Sequence, residues 1–171
     1  GFDIEKENFK DRTTELTVKY SVDKDIIRII SKDYPEMTED ILKGMFITPK
    51  FTVKINTVKI SAQNFRQLLT ENEITYNDMP LEDAVEIIHK GSIAEIPGFK
   101  EGYFYVQGIT SQYAIKAAGI KENDKVLDLC AAPGGKSFAA AIALNNTGSV
   151  TSCDPNPPRP KLITDGAQRL G

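Results

Sequence analysis

The sequence predicts an α/β protein: N-terminal helices, then a small α+β domain, then the first βαβα part of a Rossmann-like parallel sheet. Three observations predict this order. Apolar residues recur at helical spacing before residue 47, and FTVKINTVKI alternates apolar and polar residues. KVLDLCAAPGGKSFAAAIALNNTGSVTSCD has the pattern of a strand, a glycine loop, an alanine-rich helix, a turn and a strand. Such a βαβ unit implies two parallel strands joined by a right-handed crossover.

Residues 2–19 of the N-terminal segment are expected to form a helix or an extended arm, and two further helices are expected to follow. In SVDKDIIRIISKDYP, we expect Ser21 to cap the helix, the four isoleucines to fall on one face, and Pro35 to end it. EMTEDILKGMF is expected to form a second, shorter helix, in which Ile41, Leu42, Met45 and Phe46 are grouped.

The next 60 residues or so predict the small α+β domain. FTVKINTVKI is a half-buried strand with Lys54 on its polar face, and SAQNFRQLLTENE is a helix. DAVEIIHK, SIAEIPGF and YFYVQG are short strand-like pieces, followed by the helix SQYAIKAAGI. His89 is expected to be an ordinary strand residue.

Composition excludes several classes of protein. The 171 residues are 40% hydrophobic and 26% charged, which is typical of a soluble globular chain. No apolar run is long enough to span a membrane, and the charged N-terminus is unlike a signal peptide. Two distant cysteines and one histidine argue against a zinc site. A reduced, cytoplasmic setting without a membrane partner is therefore expected.

Basic residues are concentrated in one stretch, although the net charge is -3. Residues 41–70 contain five basic and no acidic residues, whereas residues 71–101 contain eight acidic residues and two lysines. A local basic surface suits phosphate binding better than the total charge suggests. A solvated face without a role is the alternative.

Two ligand classes compete for the loop AAPGGKS, and a tight βα turn without a ligand is a third interpretation. Gly135, Lys136 and Ser137 match the end of a P-loop, GxxxxGK[ST], whose first glycine would fall at Cys130. A nucleoside cofactor bound in the Rossmann manner needs an acid after the second strand, and Asp154 follows Gly135 by 19 positions. Because the loop is not GxGxxG, S-adenosylmethionine, which has no pyrophosphate, is favoured over NAD.

The string LDLCAAPGGK resembles the cofactor loop of the Sun (RsmB-like) RNA cytosine-5 methyltransferases. Four further segments are similar to that family: YSVDKDIIRIISKDYP, FTVKINTVKIS, IPGFKEGYFYVQGITSQYA and CDPNPPRPKLITDGAQRLG. The resemblance covers nearly the whole chain from about residue 18. It implies methylation of cytosine C5 in RNA, with 16S ribosomal RNA as the expected substrate and S-adenosylmethionine as the cofactor.

Carried over position by position, the resemblance implies two binding sites. The implied cofactor-binding residues are Cys130, Ala131, Ala132, Pro133, Gly134, Gly135, Lys136, Asp154 and Arg159. The loop would contact methionine and adenosine, Asp154 would accept hydrogen bonds from the ribose, and Arg159 matches a commonly basic position. The implied RNA-binding residues are Lys50, Lys54 and Lys59.

The resemblance also implies three domains. Residues 1–44 would be a helical segment, 45–106 an RNA-recognition-like α+β domain, and 107–171 a partial S-adenosylmethionine-binding domain.

Two features depart from the family: Gly108 follows Gln107 where Asp is usual, and the prolines of PNPPRPK predict an irregular path until about Leu162.

Methylation at C5 needs a cysteine thiolate that attacks C6, so that C5 can accept the methyl group. In the family this cysteine and a second one lie downstream of the cofactor loop, and neither motif is present in this sequence. Cys130 is expected to pack against the cofactor, and Cys153 to be a small buried strand residue. We therefore expect a fragment without a catalytic residue of its own, inactive alone and able to self-associate through exposed apolar surface.

Several alternatives remain open from the residues. The chain could be a non-catalytic RNA-binding module, or a P-loop NTPase that binds ATP with magnesium. Tyr103, Phe104 and Tyr105 could stack on RNA bases or belong to the core. Asp128 could lie near the cofactor's amino group or only shape the turn.

Overall fold

The computed structural model describes residues 7–171 in two compact units, one ending at Pro49 and the other comprising Lys50–Gly171. The first six residues of the predicted helical segment lie outside the described residues. The three-domain division with boundaries after residues 44 and 106 stays a prediction. No helix among residues 7–171 is long and apolar enough to cross a membrane.

The first unit is built from three short helices. They are α1 (Arg12–Tyr20), α2 (Lys24–Asp33) and α3 (Thr38–Gly44). Leu16, Ile27 and Leu42, one from each helix, form its buried core. Met45 and Phe46, expected to group with Leu42, lie beyond the end of α3 and are exposed.

The expected cap of α2 was wrong, and only part of its isoleucine face is buried. The cap is Asp23, whose side chain accepts from the Asp25 N–H at 2.8 Å, while Ser21 has a φ of 49° and ends α1. Of the four isoleucines only Ile27 is fully buried, and Ile26 and Ile29 are 45% and 62% exposed. At 3.6 residues per turn the four positions spread around nearly half of the helix, which is wider than the buried face.

The second unit begins with an antiparallel sheet in the order β2-β3-β1-β4. Its elements are β1 (Thr52–Ile55), α4 (Ala62–Glu71), β2 (Thr75–Asp78), β3 (Ala84–Ile88) and β4 (Phe104–Val106). Ser61 caps α4 by accepting from the Asn64 N–H at 3.1 Å. Phe65 of α4 and Phe104 of β4 are fully buried and pack together, with ring centroids 5.3 Å apart.

Local patterns misassigned three parts of this domain. SIAEIPGF forms a 3-10 turn over Ile93–Glu95 instead of a strand, because Ser92 and Glu95 make a capping box. The strand β2 was missed, since it lies at the sheet edge and is mostly exposed, which leaves no alternation of apolar residues. His89 follows β3 instead of lying within it.

The unit ends with a parallel pair of strands, as the sequence predicts. Its elements are α5 (Ile109–Ala118), β5 (Lys125–Asp128), α6 (Gly135–Ala143), β6 (Ser149–Ser152) and α7 (Pro160–Leu170). Residues 155–159 follow the predicted irregular path, and α7 begins two residues before Leu162. Helices, an antiparallel α+β sheet and a βαβα unit confirm the predicted fold class.

Candidate cofactor site

The glycine loop and the segment after β6 lie side by side at the carboxyl ends of the two parallel strands. The Cys153 N–H donates to the Asp128 carbonyl at 2.8 Å, and the Ala131 N–H donates to the Cys153 carbonyl at 3.0 Å. These bonds continue the strand pairing beyond both strand ends. The carboxyl edge of a parallel sheet is where such folds bind ligands.

Asp154 is in direct contact with the loop. Its Oδ2 accepts from the Ala132 N–H at 3.1 Å, and its Oδ1 accepts from the Asn156 N–H at 3.1 Å. Arg159 donates from Nη2 to the Ala132 carbonyl at 2.9 Å, and its Nη1 lies 3.8 Å from the Asp154 Oδ2. The backbone of one loop residue, Ala132, is thus held on both sides by the predicted site residues that follow β6, and the Asp154 side chain is only 3% exposed.

Asp128 shapes the turn, and its role near the cofactor's amino group stays a prediction. Its Oδ1 accepts from the Cys130 N–H at 3.2 Å, and its Oδ2 accepts from the Ser137 hydroxyl at 2.8 Å. Ser152 extends this network from β6, with its hydroxyl 2.8 Å from that of Ser137. The carboxylate therefore joins the end of β5 to the first turn of α6.

Gly134 is required by the close packing of the loop. Its φ is +111°, a conformation that disfavours a side chain, and an added Cβ would overlap the ring of Phe138. Phe138 also meets Tyr105 edge to face, with ring centroids 5.6 Å apart. The ring of Phe138 thus packs between the turn at Gly134 and the ring of Tyr105.

The strand β4 contributes further support that the sequence did not reveal. The Tyr105 hydroxyl lies 3.0 Å from the Gly135 carbonyl and 3.1 Å from Oε1 of Gln107. Burial raises the pKa of Tyr105, so the phenol stays protonated and can donate. Tyr105 and Phe104 are both buried, which excludes them from base stacking, whereas Tyr103 is partly exposed. No local pattern links residues 105 and 135, so only tertiary packing shows this contact.

The predicted loop residues differ in burial. Ala131, Ala132 and Gly134 are buried, Gly135 is half-buried, and Cys130, Pro133 and Lys136 are exposed. The first turn of α6 has no side-chain cap. Uncapped N–H groups and a helix N-terminus can receive a carboxylate such as that of methionine.

The two cysteines are both exposed. The expectation that Cys153 is a buried strand residue was wrong. Within the described residues β6 pairs with β5 alone, and this two-stranded sheet leaves much of both strands uncovered. Residues 7–171 contain no group of three or more His, Cys, Asp or Glu side chains that could hold a metal ion.

The three lysines predicted to bind RNA have separate protein partners. Lys50 donates to Glu86 at 2.8 Å, and Lys54, only 12% exposed, pairs with Asp83. Lys59 donates to the backbone carbonyls of Glu101 and Arg169. Their role in RNA binding stays a prediction.

Two large cavities lie in the second unit. One of about 650 Å³ is bordered by Lys54, Asp83, Gln112 and Ile142, and one of about 750 Å³ lies between α6, β6 and α7. Only the second borders the glycine loop, at Ser137 and at Phe138, which lies against Gly134.

Comparison with known proteins matches two segments of the chain to one family. The family model described as "16S rRNA methyltransferase RsmB/F" matches residues 116–171, and the RsmF/B-like ferredoxin-like domain matches residues 25–94. The predicted family resemblance is confirmed by these matches and by similar curated proteins.

Two of these relatives are named probable ribosomal RNA small subunit methyltransferase B. The protein from Bacillus subtilis is 39% identical over 138 residues, which are 80% of this chain and 30% of the relative. The protein from Coxiella burnetii is 31% identical over 146 residues, 85% of this chain and 34% of the relative. The chain thus spans about a third of the length of these relatives.

A solved structure shares the fold. A methyltransferase homolog protein from Pyrococcus horikoshii superposes with a TM-score of 0.82 at 24% identity, over 95% of this chain and 54% of that one.

Proposed function

Because the chain belongs to the RsmB/F family of rRNA methyltransferases, we propose that it provides the S-adenosylmethionine site and an RNA-binding module for methylation of cytosine C5 in 16S ribosomal RNA. This substrate would place the activity in the cytoplasm. The residues proposed to hold the cofactor are those of the loop from Cys130 to Lys136, together with Asp154 and Arg159.

One observation carries the proposal: the buried carboxylate of Asp154 bonds to the Ala132 N–H across the carboxyl edge of the parallel strands. Each of its oxygens already accepts one backbone N–H. A carboxylate can accept about four hydrogen bonds, so these two N–H groups do not use all of its acceptor positions. Arg159 bonds to the carbonyl of the same residue, Ala132, and its Nη1 lies 3.8 Å from the Asp154 carboxylate.

Calorimetric titration with S-adenosylhomocysteine tests the cofactor site. We expect binding by the unaltered chain and a rise in Kd of about tenfold or more in Asp154→Ala, equivalent to losing about 1.4 kcal/mol. Asp165→Ala is the matched control, because Asp165 is an exposed acid of α7 that pairs with Lys161. Equal Kd values for all three proteins would overturn the assignment of Asp154.

The proposed methyl transfer requires a nucleophile that this chain does not supply. A thiolate would add to C6, C5 would take the methyl group from the cofactor sulfonium, and loss of the C5 proton would expel the thiolate. Cys130 lies at the cofactor loop and Cys153 one residue before Asp154, so both belong to the binding edge. We propose that neither attacks the base and that the chain alone does not turn over.

An assay with 16S ribosomal RNA and methyl-labelled cofactor tests this. The expected result is no label in the RNA. Turnover that disappears in Cys130→Ser or Cys153→Ser would show that one of these thiols is the nucleophile.

The small domain is proposed to help bind RNA, on the basis of its match to the ferredoxin-like domain of the family. Fluorescence anisotropy with a 16S fragment, repeated at two salt concentrations, measures this binding. We expect affinity to fall with salt, because phosphate contacts release counterions. RNA binding without any binding of S-adenosylhomocysteine would instead identify a non-catalytic RNA-binding module.

A further inference from the structure

The helix α7 connects the candidate cofactor site with the antiparallel sheet domain. At its N-terminal end, Arg159 is the residue before the first helical position and bonds to the Ala132 carbonyl of the loop. At its other end, the last residues meet the small domain. This helix of 11 residues therefore contacts both regions.

The C-terminal end of α7 is held by side chains from distant parts of the chain. Lys59 donates to the Arg169 carbonyl at 3.2 Å and to the Glu101 carbonyl at 2.9 Å. Asn56 is buried and donates from Nδ2 to the Leu170 carbonyl at 2.9 Å. These donors satisfy carbonyls that the helix itself leaves free, and the Lys59 cation lies at the negative end of the helix dipole.

The side chain of Arg169, in α7, donates in turn to carbonyls of the small domain. Its Nη1 donates to the Phe99 carbonyl at 2.6 Å and to the Phe104 carbonyl at 3.1 Å, and its guanidinium lies 4.1 Å from the centre of the Phe99 ring. Gly102 lies against the Arg169 carbonyl so closely that a Cβ would overlap it. The end of α7 is thus fixed by hydrogen bonds and by shape.

The middle of α7 contacts the loop through one aromatic ring. Phe138 lies against Gly166 of α7 and against Gly134 of the loop, and a Cβ on either glycine would overlap its ring. α7 is therefore linked to the loop at two places. One is the ring of Phe138, and the other is Arg159 together with Asp154.

We propose that Lys59 and Asn56 are positioning residues for the cofactor site, acting through α7 and independently of RNA. This rests on the proposed function of Asp154 as a cofactor ligand. Lys59 then acts as the cap of α7 in addition to any contact with phosphate. The small domain becomes a part of the cofactor site rather than only an RNA-binding module.

Two readouts on the full chain test the proposal: the Kd for S-adenosylhomocysteine, and the hydrogen exchange rate of the Ala132 amide, which reports its bond to Asp154. We expect Lys59→Met to raise the Kd about fivefold or more and to accelerate Ala132 exchange, since coupling between sites starts at about this size. Lys59→Arg, which keeps a cationic donor, is expected to stay within about twofold.

Lys100→Met is the matched control, because Lys100 is an exposed lysine beside Glu101. Arg169→Met is a second variant, which removes the hydrogen bonds that α7 itself donates to the Phe99 and Phe104 carbonyls. A merely structural role for Lys59 would lower the free energy of unfolding while leaving the Kd and the Ala132 exchange unchanged, and that result overturns the proposal.

The two proposals fail in different ways. If Asp154→Ala raises the Kd and Lys59→Met changes neither readout, only the positioning role is wrong. If the unaltered chain does not bind S-adenosylhomocysteine, the proposed cofactor site of this chain is wrong. The Ala132 exchange rate in Lys59→Met then still decides whether α7 positions the loop.

Discussion

The Tyr105 hydroxyl and the Gly135 carbonyl lie 3.0 Å apart, which joins the last strand of the antiparallel sheet to the first residue of α6. The two residues are 30 positions apart in the sequence. The small domain and the glycine loop therefore share a partly buried hydrogen bond in addition to the contacts made by α7.

Loss of this bond is predicted to destabilise the chain. We expect Tyr105→Phe to lower the free energy of unfolding by about 1–2 kcal/mol, because the Gly135 carbonyl loses a buried donor. Urea unfolding followed by circular dichroism measures the change. The control is Tyr103→Phe, since Tyr103 is only partly buried, and its expected effect is within about 0.5 kcal/mol. Equal effects of the two changes would contradict the role assigned to Tyr105.

A methyl group on Gly134 is predicted to disturb the loop more than one on its neighbour. Gly134→Ala is expected to cost about 1–3 kcal/mol, because φ is +111° and the Cβ would overlap Phe138. Gly135→Ala is the comparison, as the nearest atom to its added Cβ is 3.6 Å away, an ordinary contact. Thermal unfolding of both variants measures the difference in their stability. A Gly134→Ala protein as stable as Gly135→Ala would show that the loop can relax around the added methyl group.

The stability of the N-terminal helices is predicted to fall in acid because of Glu39. Its carboxylate accepts from Lys19 at 2.7 Å, from Tyr20 at 2.7 Å and from Arg12 at 2.5 Å, and these bonds lower the pKa of Glu39 to about 2. A depressed folded-state pKa contributes stability above the ordinary value of 4.5, and that contribution is lost as the pH falls toward 2.

Urea unfolding of the chain and of Glu39→Gln at several pH values between 2 and 6 measures this contribution. The difference in stability between the two proteins is expected to be full near pH 6 and to shrink as the pH approaches 2. Glu36→Gln serves as control, because Glu36 is an exposed acid of the same unit. A difference that does not depend on pH would rule out titration of Glu39 as its cause.

The chain is predicted to self-associate through β5. Leu127 of β5 and Leu129, which follows the strand, are 60% and 64% exposed, and within residues 7–171 β5 pairs with β6 alone. An exposed edge with apolar side chains favours pairing with another chain. Sedimentation equilibrium is expected to show association that is weakened by Leu129→Lys.

Leu162→Lys provides the matched comparison for this prediction. Leu162 is also an exposed leucine but lies on α7, away from a strand edge. Association that is unaffected by Leu129→Lys, or that is reduced equally by both changes, would argue against the β5 edge as the contact.

Local sequence patterns were enough to predict the parts of the site that depend on chain order. The strand, the glycine loop and the alanine-rich helix follow from residue types in one continuous segment. Because parallel strands present their carboxyl ends at one edge, Asp154 could be expected beside the loop, and it bonds to Ala132. The same patterns could not predict β2, whose exposed edge position leaves no apolar alternation.

The sequence by itself therefore determined the fold class, the βαβ unit and the family, because periodicity and a contiguous motif carry that information. Only the tertiary structure decided which side chains hold the loop and α7. Tyr105 meets Gly135 and Asn56 meets Leu170 across separations of 30 and 114 residues. Such contacts depend on how sheets and helices pack, and packing between distant segments leaves no periodic signal in the chain.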